Sequence, residues 1–331
     1  MENIKWGIIG CGDVTEVKSG PAFKQIKNSE LIAVMRRNGE LAQDYAQRHH
    51  VPKWYDQADD LINDPEVNTI YIATPPDTHA LYAIKAMKAG KAVYVEKPMA
   101  RNYEECREMI RVSEETGIPL ITAYYRRSLP MFLKVKELID ADEIGKPLLV
   151  NIRFYRSPAP EDLQKENLPW RVIPEISGGG YFVDLASHTL DFLDYLFGSI
   201  TEVQGFALNR AGLYPAEDTV TATFRFESDV IGNGAWCFCA SNNVDVDYVE
   251  IVGEKGRLRF SMFKFSPIIL KAPGEEREFY YEKPTHVQLH HLRTVVDQLQ
   301  GKGPCPSSMY SASRTNRVID QILSNYYSPK K

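Results

Sequence analysis

The sequence predicts an α/β fold in two parts: a parallel sheet covered by helices, then a part rich in β-strands. Up to residue 123, short apolar runs alternate with longer amphipathic stretches, as in a parallel sheet that is buried on both faces. A glycine turn directly follows the first apolar run. Beyond residue 123 this regular alternation ends, so we expect two domains, 1–123 and 124–331.

The elements of each part follow from the residue pattern. The first part has predicted strands at 5–9, 31–35, 69–73, 92–95 and 119–123. Helices predicted at 79–89 and 102–116 lie between strands, which indicates a doubly wound, Rossmann-type nucleotide-binding domain. The second part has predicted helices at about 129–139, 182–197, 287–300 and 307–325. Its predicted strands are 148–154, 202–207, 219–226, 231–239, 248–252 and 257–261.

Composition and charge exclude several classes of protein. The 331 residues are 44% hydrophobic and 25% charged, which is ordinary for a soluble globular protein. A formal net charge of −5 argues against a nucleic-acid or acidic-membrane partner. No apolar run approaches membrane-spanning length, and the N-terminus lacks a signal-peptide pattern, so we expect a cytoplasmic protein.

The five cysteines fit no zinc spacing, so we expect no metal site. Cys237 and Cys239 are two residues apart in a strand-like run, which places them on the same side of the strand. We interpret them as buried, small apolar residues rather than as metal ligands.

The glycine turn predicts a dinucleotide site. Gly10, Cys11 and Gly12, followed by Asp13 and Val14, supply the first two glycines of the dinucleotide fingerprint. The first glycine permits the tight turn, and the second lets the backbone approach a pyrophosphate. The third position of the fingerprint is a threonine, so the motif has a plain glycine turn as its alternative.

The end of the second strand predicts which cofactor binds. In NAD-binding domains an acidic side chain at this point bonds the ribose 2′-hydroxyl. Here Arg36 and Arg37 stand there instead, and guanidinium groups suit a 2′-phosphate. We therefore expect NADP, with NAD as a possible cofactor and a solvated basic turn as the structural alternative.

Two further strand ends lie where ligands bind in such sheets. Thr74 and Pro75 follow the third predicted strand, and His79 then either reaches the cofactor ribose or simply begins a helix. After the next strand come Glu96, Lys97 and Pro98. A lysine near a buried site acts as a proton donor or stabilises an alkoxide.

A narrow polar stripe marks the helix predicted at 182–197. At 100° per residue, Asp184, His188, Asp191 and Tyr195 fall within an arc of about 60° on an otherwise apolar helix. Ionisable groups are costly to bury without partners, so the stripe is either a satisfied structural network or a working site. Three glycines at 178–180 precede it, and we expect them to let the backbone pass close to a ligand.

The order of these motifs resembles that of the Gfo/Idh/MocA oxidoreductases over essentially the whole chain. The lysine–proline motif and the aspartate–histidine spacing are the specific part of this resemblance. It implies a Rossmann domain followed by an α+β domain with a large open, mainly antiparallel sheet, which binds substrate and forms a homodimer or homotetramer. It also implies a nicotinamide cofactor and a sugar-like or polyol substrate.

The resemblance assigns roles to residues of this chain. It implies that Lys97, Asp184 and His188 are the catalytic group and also contact substrate. Trp170 and Arg171 resemble a family pair that approaches cofactor or substrate. The cofactor contacts that we expect are Gly10, Cys11, Gly12, Asp13, Val14, Arg36, Arg37, Thr74, Pro75, His79, Glu96, Lys97, Pro98, Trp170 and Arg171.

The substrate pocket differs from the family pattern at one point. Tyr125 stands where members often have asparagine, and Arg126 follows it. We expect both residues to contact substrate. Two other functions stay open, a glycosidase that uses bound NAD in a transient oxidation and a non-catalytic NAD(P)-binding sensor, although such sensors tend to lose the catalytic group.

Overall fold

The α/β fold is confirmed in a computed structural model, which describes residues 1–327. The chain forms two compact units. The first consists of Met1–Leu129 and Pro284–Ser313, and the second of Pro130–Lys283 and the chain from Arg314 onward. The first unit runs to residue 129 and also includes the segment 284–313, whereas the sequence analysis expects a single boundary at residue 123.

A six-stranded parallel sheet forms the centre of the first unit, in the order β3-β2-β1-β4-β5-β6. Its strands are β1 (Ile4–Ile9), β2 (Ser29–Met35), β3 (Lys53–Tyr55), β4 (Thr69–Ile72), β5 (Ala92–Val95) and β6 (Leu120–Thr122). Five of them lie where the apolar runs predict strands. Only β3 is absent from the prediction, since it has three residues, lies at the sheet edge and is not buried.

Helices cover this sheet. They are α1 (Asp13–Val17), α2 (Gly39–His49), α3 (Ala58–Asn63), α4 (His79–Lys88), α5 (Tyr103–Thr116) and α9 (Leu289–Leu299). Asn102 caps α5 by accepting the Glu105 N–H, and Gly117 ends it in the left-handed conformation. From α9, Leu292 and Val295 enter the same apolar cluster as Trp6, which explains why the late segment belongs to the first unit.

An eight-stranded sheet forms the second unit, in the order β14-β13-β12-β11-β7-β10-β9-β8. Only the β7–β10 pair is parallel, so the sheet is mainly antiparallel, as the resemblance implies. Its strands are β7 (Pro147–Tyr155), β8 (Ile200–Leu208), β9 (Thr219–Phe226), β10 (Ile231–Cys237), β11 (Val246–Gly253), β12 (Arg257–Phe260), β13 (Ile268–Ala272) and β14 (Glu275–Phe279). Its helices are α6 (Pro130–Asp140), α7 (Pro174–Ser177) and α8 (Ser187–Phe197), and α10 (Met309–Tyr327) begins in the first unit and ends in the second.

One face of this sheet is buried and the other is open. In β9 the side chains alternate between buried and exposed positions, as the pattern predicts. Cys237 and Cys239 do lie on the same side, with Sγ atoms 3.8 Å apart, but both are partly exposed, so our expectation of full burial is wrong. Cys237 lies on the same face of β10 as the exposed Ile231, whereas the residues between them alternate with buried ones.

The helix predicted at 182–197 is not a uniform α-helix. It begins as a π-helix over Phe182–Ala186 and continues as α8. In a π-helix the backbone bonds span five residues rather than four, so the 100° spacing fails over this turn. Asp184 lies in this π-helical turn, whereas His188, Asp191 and Tyr195 lie in α8. The direction of Asp184 around the helix axis, relative to the other three, therefore differs from the one that a regular α-helix predicts.

Candidate active site

The glycine loop of the first unit has the shape of a phosphate-binding turn. Gly10 has φ +92°, and a Cβ there would lie 2.8 Å from Thr74 Cγ2 and 2.9 Å from Thr74 N. The N–H groups of Gly10 and Cys11 both donate to the Met35 carbonyl at the end of β2. A Cβ at Gly12 would meet nothing within 4 Å, so the space beside this glycine is open.

Arg36 and Arg37 are exposed at the end of β2, next to this loop. Burial raises the pKa of the Cys11 thiol to about 11, and the positive charge of Arg36 acts against that rise. Arg36 is therefore within electrostatic reach of the glycine loop.

His79 joins two loops at the carboxyl ends of β4 and β5. The imidazole is completely buried, with Nε2 2.8 Å from the Thr74 carbonyl and Nδ1 3.0 Å from the Pro98 carbonyl. Burial lowers its pKa, and a neutral ring donates to only one of the two carbonyls at a time. Because both nitrogens face the protein's own backbone, a structural role is favoured over a ribose contact.

A buried network lies behind the lysine. The Glu96 carboxylate accepts the Tyr71 hydroxyl at 2.6 Å, the Gln288 side-chain amide at 2.5 Å and the Lys97 backbone N–H at 3.2 Å. The Glu96 carboxylate is therefore engaged by three donors of the protein itself. Lys97 itself is partly exposed, and the Lys97–Pro98 peptide is cis.

In the second unit Asp184 is paired with an arginine. Its Oδ2 lies 3.3 Å from Arg171 Nε, and the Arg171 guanidinium stacks on Trp170 at 4.5 Å from the ring centroid. The predicted residues Trp170, Arg171 and Asp184 are thus brought together. His188 is buried on α8, with its ring 6.1 Å from that of Phe263.

The remaining predicted residues have other surroundings. Tyr195 lies under the Lys136 ammonium, at 5.7 Å from its ring centroid, whereas Asp191 is fully buried. In the first unit Tyr125 is partly exposed and Arg126 is buried. The Arg126 guanidinium lies 5.2 Å from the Tyr125 ring centroid, and its Nη1 donates to the Tyr125 hydroxyl at 3.3 Å. Asp13 is exposed at the start of α1, and Val14 follows it.

The triple glycine faces a carboxylate of the protein. The Gly180 N–H donates to Glu217 Oε1 at 2.8 Å, and a Cβ at Gly179 would lie 3.4 Å from the same oxygen. These two glycines therefore allow a close approach of Glu217, whereas the sequence analysis predicts that they let the backbone pass close to a ligand. The sequence signal for Glu217 is an acidic pair, Glu217 and Asp218, directly before a strand-like run, whereas nothing local marks Gln288.

The described part of the chain has neither a cluster of metal ligands nor a membrane-spanning helix. Within residues 1–327, histidine, cysteine, aspartate and glutamate side chains form no group of three or more that could hold a metal ion. Over the same residues there is no helix both long and apolar enough to cross a membrane.

Comparison with known families matches both parts of the chain. A family described as an oxidoreductase family with an NAD-binding Rossmann fold, GFO/IDH/MocA, matches residues 4–124. The GFO/IDH/MocA C-terminal domain matches residues 132–259.

Several proteins are similar to this chain over most of their length. An oxidoreductase of Formosa agariphila is 38% identical over 96% of this chain and 97% of its own. The trans-1,2-dihydrobenzene-1,2-diol dehydrogenase of Mus musculus is 30% identical over 83% and 80%. The 1,5-anhydro-D-fructose reductase of Ensifer adhaerens is 27% identical over 69% and 67%.

Solved structures share the fold. A levoglucosan dehydrogenase in complex with NADH and levoglucosan superposes with a TM-score of 0.85 at 21% identity, over 97% of this chain and 96% of that one. An oxidoreductase from Thermotoga maritima superposes with a TM-score of 0.84 at 24% identity, over the same shares. At these identities the likeness concerns the fold.

Proposed function

Because the chain belongs to the GFO/IDH/MocA family of NAD-binding oxidoreductases, we propose that it is an NADP-dependent dehydrogenase or reductase of a sugar, cyclitol, polyol or keto-sugar. The observation that carries the choice of cofactor is the exposed pair Arg36 and Arg37 beside the glycine loop. A sugar-like substrate is supported by relatives named for 1,5-anhydro-D-fructose and by structural neighbours named for levoglucosan.

The proposed chemistry divides the reaction between cofactor and protein. When bound, the nicotinamide supplies the hydride acceptor or donor at carbon. His188 takes the hydroxyl proton in oxidation, because imidazole titrates near neutral pH. Lys97 holds the substrate oxygen with its ammonium group and stabilises developing negative charge there. Asp184 orients these two groups, and its Oδ2 lies 3.3 Å from Arg171 Nε.

Aromatic and basic side chains recognise the substrate in this proposal. Tyr125 and Trp170 offer flat apolar faces of the kind that stack on sugar rings. The guanidinium groups of Arg126 and Arg171, which lie against these rings, keep the faces in a fixed orientation.

A cofactor screen tests the activity. NADP⁺ and NADPH are incubated with sugars, polyols and their keto forms, and absorbance at 340 nm reports hydride transfer. We expect turnover with at least one substrate, and a loss of about 10²–10⁴-fold in kcat in Lys97→Ala and in His188→Ala. Native kcat in both variants would refute the assignment of the catalytic group, and no turnover with any substrate would favour a binding protein.

Dissociation constants for NADP and NAD test the cofactor choice. The native protein should bind NADP more tightly, and Arg36→Asp should weaken NADP binding about tenfold or more by removing a charged phosphate contact. NAD binding should improve or stay unchanged in this variant. Tighter binding of NAD than of NADP by the native protein would contradict the proposal.

A further inference from the structure

A buried carboxylate holds the glycine turn that precedes Asp184 and His188. Glu217 lies two residues before β9 and is completely buried. Its Oε1 accepts the Gly180 N–H at 2.8 Å, and its Oε2 accepts the Tyr327 hydroxyl at 2.5 Å. Both carboxylate oxygens are thus matched by donors, which is the arrangement that an ionised carboxylate requires.

The same turn connects Glu217 to Asp184. The Gly180 carbonyl accepts the Asp184 N–H at 3.3 Å, at the start of the π-helix. A Cβ at Gly180 would lie 2.7 Å from the Glu217 carbonyl and 3.1 Å from its Oε1, so only glycine fits there without movement. A continuous chain of contacts therefore runs from Tyr327 through Glu217 and Gly180 to Asp184.

The surroundings of Glu217 make its charge sensitive to pH. Burial raises its pKa to about 7, and the donors on Tyr327 and Gly180 oppose this rise. The negative charge of Asp218 raises it further, although that carboxylate itself accepts the N–H groups of Arg210 and Ala211 and the Thr219 hydroxyl. Tyr326, the other titratable group beside it, directs its hydroxyl to the Pro215 carbonyl at 3.4 Å.

We propose that Glu217 is a positioning residue: its ionised carboxylate holds Gly180, and through Gly180 it sets the position of Asp184 for hydride transfer. The inference rests on the proposed function, in which Asp184 orients the catalytic pair. A charged acceptor forms much stronger hydrogen bonds than a neutral one, so protonation of Glu217 weakens its hold on the turn. Activity then falls as Glu217 takes up a proton, without any contact between Glu217 and substrate.

Hydrogen–deuterium exchange tests the coupling without any activity. Peptides that cover residues 178–188 are followed in the native protein, Glu217→Gln, Tyr327→Phe and the control Tyr326→Phe. The control removes a neighbouring hydroxyl on the same helix that does not contact Glu217. We expect exchange to be about tenfold faster in Glu217→Gln and Tyr327→Phe than in the control. Equal exchange in all three variants would overturn the inference.

Kinetics test whether the coupling matters for the reaction. In Glu217→Gln and Tyr327→Phe, kcat should fall about tenfold while KM for the cofactor stays within about twofold. Tyr327→Phe removes a donor to the carboxylate, so the acid limb of its kcat profile should move up by about one pH unit. Unchanged kcat and pH profile in both variants would overturn the positioning role even where exchange accelerates.

The two proposals fail in different ways. Absence of hydride transfer by the native protein on every substrate refutes the proposed function and with it the role of Glu217 in catalysis, while the exchange result still reports the coupling. Hydride transfer by the native protein, with variants that behave like Tyr326→Phe, refutes the role of Glu217 alone.

Discussion

Two aspartates on the same stretch of helix each pair with an arginine. Asp184 lies in the π-helical turn, with its Oδ2 3.3 Å from Arg171 Nε. Asp194 is buried on α8 and accepts two bonds from Arg314, at 2.8 and 2.6 Å. Both carboxylates have an arginine partner, but only Asp184 belongs to the motif that resembles the family's catalytic group.

Asp184→Asn should therefore lower kcat by about 10²-fold while leaving NADP binding nearly unchanged, because the carboxylate orients the proton-transfer groups and does not hold the cofactor. Steady-state kinetics and cofactor titration measure the two effects. Asp194→Asn is the matched control: it should lower the melting temperature and keep the native kcat. Equal effects of the two substitutions on kcat would show that Asp184 is a structural residue.

At the scale of elements, α4 begins with a side chain that ties two strand ends together. His79 contacts the carbonyls of Thr74 and Pro98, which follow β4 and β5. These loops carry residues that we expect to contact the cofactor, so we expect loss of the imidazole to disturb both the cofactor contacts and the position of Lys97. The helix start thus has a function beyond covering the sheet.

His79→Leu should destabilise the protein by about 1–3 kcal/mol, because it leaves a buried carbonyl without its donor. It should also weaken NADP binding. Since burial lowers the pKa of His79, the stability that the native residue contributes is present above the ordinary value of 6.5 and is lost as pH falls. The difference between native and variant, measured by denaturant unfolding at pH 7.5 and 5.5, should therefore shrink at the lower pH.

His49→Leu is a suitable control for this change. His49 lies on α2 with its Nε2 2.7 Å from a carboxylate oxygen of Glu16, near the surface. Its loss should cost no more than about 1 kcal/mol. A His79→Leu protein that is as stable as the His49→Leu protein would show that the two loops are held by other contacts.

At the scale of the whole molecule, the open face of the second sheet carries exposed apolar side chains. Phe206 is 76% exposed on β8, and Leu208 on the same strand and Ile231 on β10 are also exposed. Large apolar side chains grouped on one sheet face mark protein–protein interfaces in soluble proteins. They support the proposal that the protein is a homodimer or homotetramer.

Phe206→Glu should shift the protein toward monomer by placing a charge in this interface, with a reduction of at least about tenfold in association constant. Sedimentation velocity over a range of micromolar concentrations measures the change. Leu163→Glu introduces the same charge at a residue that is 62% exposed outside the sheet, and it should leave the oligomer intact. A native protein that is monomeric throughout this range would contradict the proposal.

Local residue pattern by itself determined the fold class and most of the parallel strands. Runs such as 92–95 and 31–35 are apolar throughout because both faces of a parallel sheet are covered, so they are readable from composition alone. The glycine turn and Arg36 are equally local, since each depends on one strand end. The short edge strand β3 was not predicted, because it is not buried and therefore has no run of apolar residues.

Only the tertiary structure decided what surrounds the candidate catalytic residues. Glu217 meets Gly180 across 37 positions and Gln288 meets Glu96 across 192, so no local period links either pair. The π-helix at Asp184 likewise has no signal in a pattern that assumes 3.6 residues per turn. Sequence periodicity determines which face of an element is buried, but packing determines which distant donor reaches a buried carboxylate.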